Sequence, residues 1–272
     1  MINVNDILNI DEVASSQYKF QRNLPIDIDI DTVIYNDMEI YNEVDKVIAE
    51  DELNTRAVNE LAAFRVFKPD FLLKKHIVCA DGLGLLQRQK IFKYSSLAMT
   101  DNNFLTNKYL LPIRLPNGLV FTYMSYDPNA DINRYTMPSV KNNPRYSYAH
   151  QGSMLGNLES LNISGNEIYC AEGFFDAYRL EESMGVPGIA LLGSNLTKTK
   201  YRILREIKKK TGKRLIYVPD IDANKAGTGN KLIGSDIWDN IFNFNLEFNT
   251  DKVYKDIDQY FREQAEKSGD WQ

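Results

Sequence analysis

Residues 167–222 decide the fold of this 272-residue chain, and they read EIYCAEGFFDAYRLEESMGVPGIALLGSNLTKTKYRILREIKKKTGKRLIYVPDID. Short apolar runs at 167–171, 188–192 and 214–218 alternate with two stretches of helical periodicity, at 175–184 and 198–210. Strands that alternate with helices are typical of βαβ units, which form a parallel sheet with right-handed crossovers. We therefore predict an α/β domain over residues 166–272.

Acidic side chains follow two of these predicted strands. Glu172 comes directly after the first strand, and Asp220 and Asp222 come after the third. Asp256 and Asp258 repeat the same spacing ahead of a helical run at 259–267. Ligands of parallel sheets bind beyond the carboxyl ends of the strands. Because clustered carboxylates repel one another unless a cation intervenes, and Mg²⁺ prefers oxygen ligands, these acids predict a site for Mg²⁺ or Mn²⁺.

Each acid also has an ordinary structural explanation. Glu172 or Asp176 could be favoured by the dipole at a helix N-terminus, and Asp220 and Asp222 could form a turn. Asp258 could cap the last helix, which would leave Asp256 merely exposed. The recurrence of acids at successive strand ends favours a shared metal site over these independent roles.

The composition is that of a folded protein, with 43% hydrophobic and 25% charged residues. Two cysteines and two histidines are too few and too scattered for a zinc site, a disulfide framework or a Cys–His nucleophile, so we expect no zinc. No apolar run is long enough to span a membrane, and the N-terminus is acidic where a signal peptide is basic. We therefore expect a cytoplasmic protein without a membrane partner.

Charge is distributed unevenly along the chain. Residues 1–60 hold fourteen Asp and Glu against four Lys and Arg, whereas residues 198–214 hold nine Lys and Arg against one acid. A local basic excess of this size suits contact with phosphates, although it could equally be a solvated helix face. Lys198 and Lys200 are the candidate phosphate ligands at its start.

The upstream half gives mixed signals. Helical periodicity at 50–66 and 70–75 precedes two β-rich runs, at 108–115 and 119–126, that flank Pro116-Asn117-Gly118. Asn-Gly between such runs predicts a hairpin. The alternation in NLPIDIDIDTVIY, residues 23–35, predicts a one-sided strand. We therefore predict a mixed α+β subdomain over 51–165 and an acidic segment of unassigned role over 1–50.

Several of these runs resemble one family in its order. The segments EGFFDAYRLEESMGVPGIALLGSNLT, LIYVPDIDANKAG and KDIDQYFREQAEKSG resemble the TOPRIM domain of bacterial DnaG-type and phage primases. YLLPIRLPNGLVFTYMSYDP, INRYTMPS and HQGSMLGNLES are similar to the part of the primase core that precedes it. The resemblance covers roughly residues 55–270, and it implies a C-terminal TOPRIM domain after a primase-core subdomain.

The resemblance also implies roles for individual residues. It makes Glu172, Asp220 and Asp222 the catalytic metal ligands, Asp256 and Asp258 a further acidic pair at the metal, and Asp176 a supporting acid. Nucleotide or nucleic-acid contacts fall on Arg134 and on basic residues that align less firmly, namely Lys141, Arg145 and Lys225. The chain departs from the family pattern where Ala223-Asn224-Lys225 stand between Asp222 and Ala226-Gly227, because the family has one residue there.

The implied activity is DNA primase activity, a nucleotidyl transfer that makes RNA primers from ribonucleoside triphosphates on a single-stranded DNA template. The implied partners are a replicative helicase and a separate zinc-module or template-recognition protein. Two alternatives stay open. One is a TOPRIM metal-dependent nuclease, and the other is an inactive primase-like subunit of a replication or transcription complex.

The tyrosines at 123, 126, 135, 146 and 148 could stack on unpaired bases.

Overall fold

The computed structural model describes residues 30–79, 109–130, 134–137, 154–221, 235–250 and 252–269. These residues fold as two compact units. The first unit contains the described residues from 30 to 114 and from 119 to 137. The second contains Leu115–Gly118 and the described residues from 154 onward. The predicted domain limits at residues 50 and 165 stay predictions.

The first unit is built on an antiparallel sheet. Its strands are β1, Val78–Cys79; β2, Tyr109–Arg114; β3, Val120–Tyr126; and β4, Tyr135–Thr136, and they lie side by side in this order. The predicted hairpin is confirmed, because β2 and β3 pair antiparallel from Tyr109 opposite Tyr126 to Arg114 opposite Val120. Gly118 has a φ of +86°, a backbone conformation that glycine adopts without a steric penalty.

Three helices belong to the first unit: α1 is Ile30–Val47, α2 is Glu52–Arg65 and α3 is Pro69–Lys74. A short 3₁₀ turn, Ile48–Glu50, separates α1 from α2. The strand expected over residues 23–35 is wrong from Ile30 onward, where α1 begins, and residues 23–29 lie outside the described residues. Tyr41, Val44 and Ile48 are buried at helical spacing. The burial of this helix face therefore outweighs the strand-like alternation of residues 23–35, and the chain is helical from Ile30.

Polar contacts attach α1 to the sheet. The Asn42 amide donates to the Val120 carbonyl at 3.0 Å and accepts from the Val120 N–H at 2.9 Å. The carboxylate of Asp45 accepts from Arg114 and lies 3.0 Å from His76 Nδ1. Burial alone would raise the pKa of Asp45, but these two partners outweigh it and lower that pKa.

Base stacking does not fit two of the tyrosines proposed for it. Tyr123 is 0% exposed and Tyr126 is 1% exposed, so both rings belong to the core of the first unit. Tyr123 packs edge to face on Tyr41 with ring centroids 5.1 Å apart. Tyr135 is half-buried, and residues 146 and 148 lie outside the described part of the chain.

The second unit is built on a parallel sheet, which confirms the predicted α/β class. Its strands are β5, Glu167–Ala171; β6, Gly188–Ala190; β7, Arg214–Val218; and β8, Asn240–Ile241, and their order in the sheet is β6-β5-β7-β8. Its helices are α4, Phe174–Met184; α5, Lys198–Thr211; α6, Phe244–Glu247; and α7, Ile257–Ser268. The 3₁₀ turn Leu158–Asn162 precedes β5.

Alternation along β7 places apolar side chains on both faces of the parallel sheet. Leu215 and Tyr217 pack in one cluster with Ile203, Leu204 and Ile207 of α5. Ile216 and Val218 pack in a second cluster, together with residues of α4, α6 and α7. The sheet is therefore covered by helices on both sides, which explains why its strands are continuous apolar runs in the sequence. Among the described residues, no helix is long and apolar enough to cross a membrane.

Candidate active site

Two carboxylates leave the parallel sheet at the same edge. Glu172 directly follows β5 and Asp220 follows β7 by two residues. The strands pair in parallel with Ala171 opposite Val218, so both segments emerge beyond neighbouring carboxyl ends. Asp176 lies in the first turn of α4, the helix that follows Glu172. This is the edge at which ligands of open α/β sheets bind.

The electrostatics of Asp220 show that the acids share one region. The pKa of Asp220 is raised to about 9, first by burial and then, in decreasing order, by the negative charges of Asp176, Glu172 and Asp256. The ammonium group of Lys255 acts in the opposite direction. The structure therefore brings together four of the carboxylates that the sequence singled out, Glu172, Asp176, Asp220 and Asp256.

Two further contacts define this group. The Tyr217 hydroxyl donates to Glu172 Oε1 at 2.8 Å. Asp256 is the N-cap of α7, because its Oδ1 accepts from the Gln259 N–H at 2.7 Å. The alternative in which Asp258 caps this helix is therefore wrong, since Asp258 lies within the first turn.

Asp258 is paired with a buried cation. Its Oδ1 accepts from Arg179 Nε at 3.1 Å, and Arg179 also donates to Glu182 Oε2 at 2.6 Å. Asp258 is 4% exposed and Arg179 is 1% exposed. The Asp258 N–H lies 3.4 Å from Asp176 Oδ1. This placement does not support the expected metal contact of Asp258, because its carboxylate compensates the buried guanidinium and links α7 to α4.

The carboxylates of Glu172, Asp176, Asp220 and Asp256, here called the acidic cluster, have donor atoms that fit a hard divalent cation. Carboxylate oxygens are the ligands that Mg²⁺ prefers, and a bound cation would remove the repulsion that raises the pKa of Asp220. Within the described ranges, no three Asp, Glu, His or Cys side chains are arranged closely enough to hold one ion. Asp222, the remaining acid that the resemblance assigns to the metal, lies outside those ranges.

The predicted basic ligands are placed differently from one another. Lys198 is exposed at the first residue of α5. Lys200 is 1% exposed, and its ammonium group donates to the carbonyl oxygens of Leu191 and Asn195. Burial lowers the pKa of Lys200 to about 8. A phosphate contact by Lys200 therefore does not fit the structure, since its side chain is used to hold the segment between β6 and α5.

Arg134 is exposed in the first unit, and its Nε donates to the Ala130 carbonyl at 2.7 Å. Lys141, Arg145 and Lys225 lie outside the described residues, so their expected nucleotide contacts stay predictions.

Several basic side chains of residues 198–214 form ion pairs or hydrogen bonds within the second unit. Lys208 pairs with Asp239 at 2.8 Å, and Lys213 donates to the Ile163 carbonyl at 2.7 Å. Arg214 pairs with Glu167. The exposed basic side chains of α5 are Lys198, Arg205, Lys209 and Lys210. The surface available for phosphate contact is therefore smaller than the count of basic residues indicates.

Sequence reasoning missed Tyr217 and Arg179. The sequence shows Tyr217 only as part of an apolar strand. The alternation of side chains along the strands nevertheless places Tyr217 on the same face of the sheet as Glu172. Arg179 was read only as one position of an amphipathic helix. No short-range pattern connects it to Asp258, which is 79 residues away in the chain.

No protein-family model and no curated protein sequence matches the chain. Among solved structures it is similar to the DnaG primase catalytic domain bound to ssDNA, at 14% identity and a TM-score of 0.57, over 88% of this chain and 80% of that one. The Aquifex aeolicus primase zinc-binding and RNA polymerase domains give 19% identity and a TM-score of 0.55, over 82% and 57%. The E. coli primase catalytic core gives 15% and 0.55, over 86% and 78%. The chain therefore has the fold of the DnaG primase catalytic core.

Proposed function

We propose that this chain is the catalytic core of a DNA primase, which joins ribonucleotides on a single-stranded DNA template with the help of Mg²⁺. The observation that carries the proposal is the group of acids at the carboxyl edge of the parallel sheet. Glu172, Asp176 and Asp256 lie close enough to Asp220 to raise its pKa. A concentration of negative charge is costly in a folded protein unless a cation compensates it. The primase-core fold gives this site its chemical context.

Glu172, Asp220 and Asp222 are the residues that would hold the metal, and Asp256 and Asp176 would add negative charge around it. When bound, Mg²⁺ would neutralise phosphate charge and lower the pKa of the attacking hydroxyl. The remaining contribution of the chain is to hold the reacting groups in line, because correct positioning alone removes a large part of the barrier to a bimolecular reaction. Strands β5 and β7 suit this task, since rigid elements hold side chains more accurately than loops.

Exposed basic side chains would hold the template or the triphosphate. Lys198 at the start of α5 and Arg134 in the first unit are candidates, because both are exposed. Contacts of this kind supply affinity without reading sequence. A solved structure with this fold is a DnaG primase catalytic domain bound to ssDNA, which supports DNA as the template. A helicase and a separate zinc-module protein belong to the same proposal as partners that supply unwinding and template recognition.

Incubation of the protein with single-stranded DNA, labelled ribonucleotides and Mg²⁺ tests the proposal. We expect short RNA products from the wild type and none from Glu172→Gln or Asp220→Asn. Asp239→Asn is the matched control. It removes a carboxylate of the same unit that pairs with Lys208 away from the acidic cluster, and it should retain synthesis.

The other outcomes separate the alternatives. DNA that is cut while no RNA appears would identify a metal-dependent nuclease. If neither product forms when a helicase and a zinc-module protein are also present, the chain is an inactive primase-like subunit.

A further inference from the structure

The hydroxyl of Tyr217 lies against the carboxylate of Glu172 because of the register of the parallel sheet. Tyr217 on β7 is opposite Cys170 on β5. Glu172 is two residues beyond Cys170, so alternation places it on the same face of the sheet and diagonal to Tyr217. A tyrosine side chain can span this diagonal, and its hydroxyl donates to Glu172 Oε1 at 2.8 Å.

The ring that carries this hydroxyl is held firmly. Tyr217 is 0% exposed, and its ring stacks on Trp238 with centroids 5.3 Å apart and an interplanar angle of 18°. It also packs in the apolar cluster that includes Ile203, Leu204 and Ile207 of α5. A donor fixed in this way presents its hydrogen bond in one place, so the carboxylate that accepts it is held in one orientation.

We propose that Tyr217 is a positioning residue, whose hydroxyl orients the Glu172 carboxylate for a divalent cation at the acidic cluster. This inference rests on the proposed function, in which Glu172 is a metal ligand. A glutamate side chain has three rotatable bonds, and a ligand that samples many rotamers binds a cation less tightly than one held in place. Hydrogen-bond partners of metal ligands typically contribute about 10-fold to 100-fold to metal affinity or activity.

The same sheet provides a matched control. Tyr169 on β5 donates its hydroxyl to Glu167 Oε2 at 2.9 Å, which is the same chemical contact as that between Tyr217 and Glu172. Glu167 is at the opposite end of β5, five residues before Glu172, and this corresponds to about 16 Å along an extended strand. Tyr169→Phe therefore removes an equivalent hydrogen bond without touching the acidic cluster.

Mn²⁺ binding tests the proposal without requiring activity. The free Mn²⁺ concentration is followed by its electron paramagnetic resonance signal during titration of the wild type, Tyr217→Phe and Tyr169→Phe, in the absence of DNA and nucleotides. We expect Tyr217→Phe to raise the dissociation constant about 10-fold, and Tyr169→Phe to leave it within about twofold of the wild type. Primer synthesis by Tyr217→Phe should be weak at low Mg²⁺ and should recover as Mg²⁺ is increased.

Melting temperatures measured in EDTA show whether each variant is folded, and phenylalanine keeps the stack on Trp238. Equal Mn²⁺ affinity in wild type and Tyr217→Phe would overturn the role of Tyr217 and leave the proposed function in place. Equal losses in both variants would also overturn it, because they would reflect a general change in the sheet. If the wild type binds no Mn²⁺, the proposed function is contradicted, and the role of Tyr217 with it.

Discussion

Asp220 lies where burial and three neighbouring carboxylates all act against its negative charge. Its pKa of about 9 in the folded chain is far above the ordinary value of 3.8, so folding favours the protonated carboxyl group. The consequence is that, without a metal, this residue lowers the stability of the folded state as the pH rises from about 4 toward 9. A residue that destabilises the metal-free folded state in this way is a candidate for a functional role rather than a structural one.

Asp220→Asn should therefore stabilise the metal-free protein while it abolishes primer synthesis. Asparagine has nearly the same size and carries no charge, so we expect the free energy of unfolding at pH 7 in EDTA to rise by about 1 kcal/mol. Urea denaturation measures this free energy. Asp239→Asn should instead lower the free energy of unfolding by about 1 kcal/mol, because Asp239 pairs with Lys208 and accepts from the Leu215 N–H. A loss of stability in Asp220→Asn would indicate a structural role for Asp220.

Lys200 also titrates in an unusual range. Burial lowers its pKa to about 8, so the folded chain loses this proton more readily than the unfolded chain does. Because the unfolded chain holds more protons between pH 8 and about 10.5, this group makes the folded state more stable as the pH rises through that window.

Lys200→Met removes this titration, and its pH dependence should show the difference. Between pH 8 and about 9.5, the free energy of unfolding of the wild type should rise relative to that of Lys200→Met by on the order of 2 kcal/mol. Urea denaturation at several pH values measures both proteins under identical conditions. Parallel pH curves for the two proteins would mean that the Lys200 ammonium group is not buried in solution.

At the scale of elements, the attachment of α7 to α4 determines where Asp256 lies. Asp256 caps α7, and the first turn of that helix is tied to α4 by the ion pair between Asp258 and Arg179. Ile257 packs under the sheet in the same cluster as Leu180 of α4. The helix N-terminus is therefore held by both a buried charge pair and apolar contact, and Asp256 is brought toward Asp220 as a result.

Asp258→Ala should be strongly destabilising, because it removes one of the carboxylates that compensate the buried Arg179 guanidinium. We expect the free energy of unfolding to fall by about 3 kcal/mol, the cost typical of breaking a buried ion pair. Glu263→Ala is the control on the same helix, because the partner of Glu263, Lys252, is exposed, and its loss should cost less than about 1 kcal/mol. Similar losses in the two variants, measured by urea denaturation, would contradict the anchoring role of Asp258.

At the scale of the whole molecule, the charge distribution sets how DNA is approached. The chain carries 37 acidic and 32 basic residues, so its net charge of −5 repels a polyanion at long range. Binding then depends on local basic groups such as Lys198 at the start of α5. Affinity from such contacts decreases as salt rises, because each neutralised phosphate releases counterions.

Lys198→Gln should reduce the salt dependence of binding to single-stranded DNA. Fluorescence anisotropy with a labelled oligonucleotide between about 50 and 200 mM NaCl gives the slope of log K against log salt, and we expect this slope to decrease in magnitude by about 0.7. Lys267→Gln is the control, because Lys267 is an exposed lysine in the last turn of α7. An unchanged slope in Lys198→Gln would exclude a phosphate contact by Lys198.

Six of the eight helices and strands of the second unit could be predicted from the sequence to within two residues at each end, whereas β8 and α6 were not predicted. Helix α5 was expected at 198–210 and is Lys198–Thr211, and α7 was expected at 259–267 and is Ile257–Ser268. The ends of these elements can be predicted because the signals that set them lie within a few residues of each end. These signals are apolar periodicity, N-caps such as Thr197 and C-terminal glycines such as Gly212. The arrival of Glu172 and Asp220 at one edge followed from the parallel arrangement of β5 and β7.

Three features depended on contacts that no local pattern contains. The start of α1 at Ile30 contradicted an alternating sequence, Lys200 is buried within a basic stretch, and Asp258 pairs with Arg179. Residue type and spacing specify which face of an element is apolar, but the partner of a buried charge is specified only when distant segments are brought together. The sequence by itself thus determined most elements of the second unit and the edge of the sheet where the acids lie. The tertiary structure decided which charged side chains hold the fold together, because removing a charge from water is tolerated only where the fold supplies a partner.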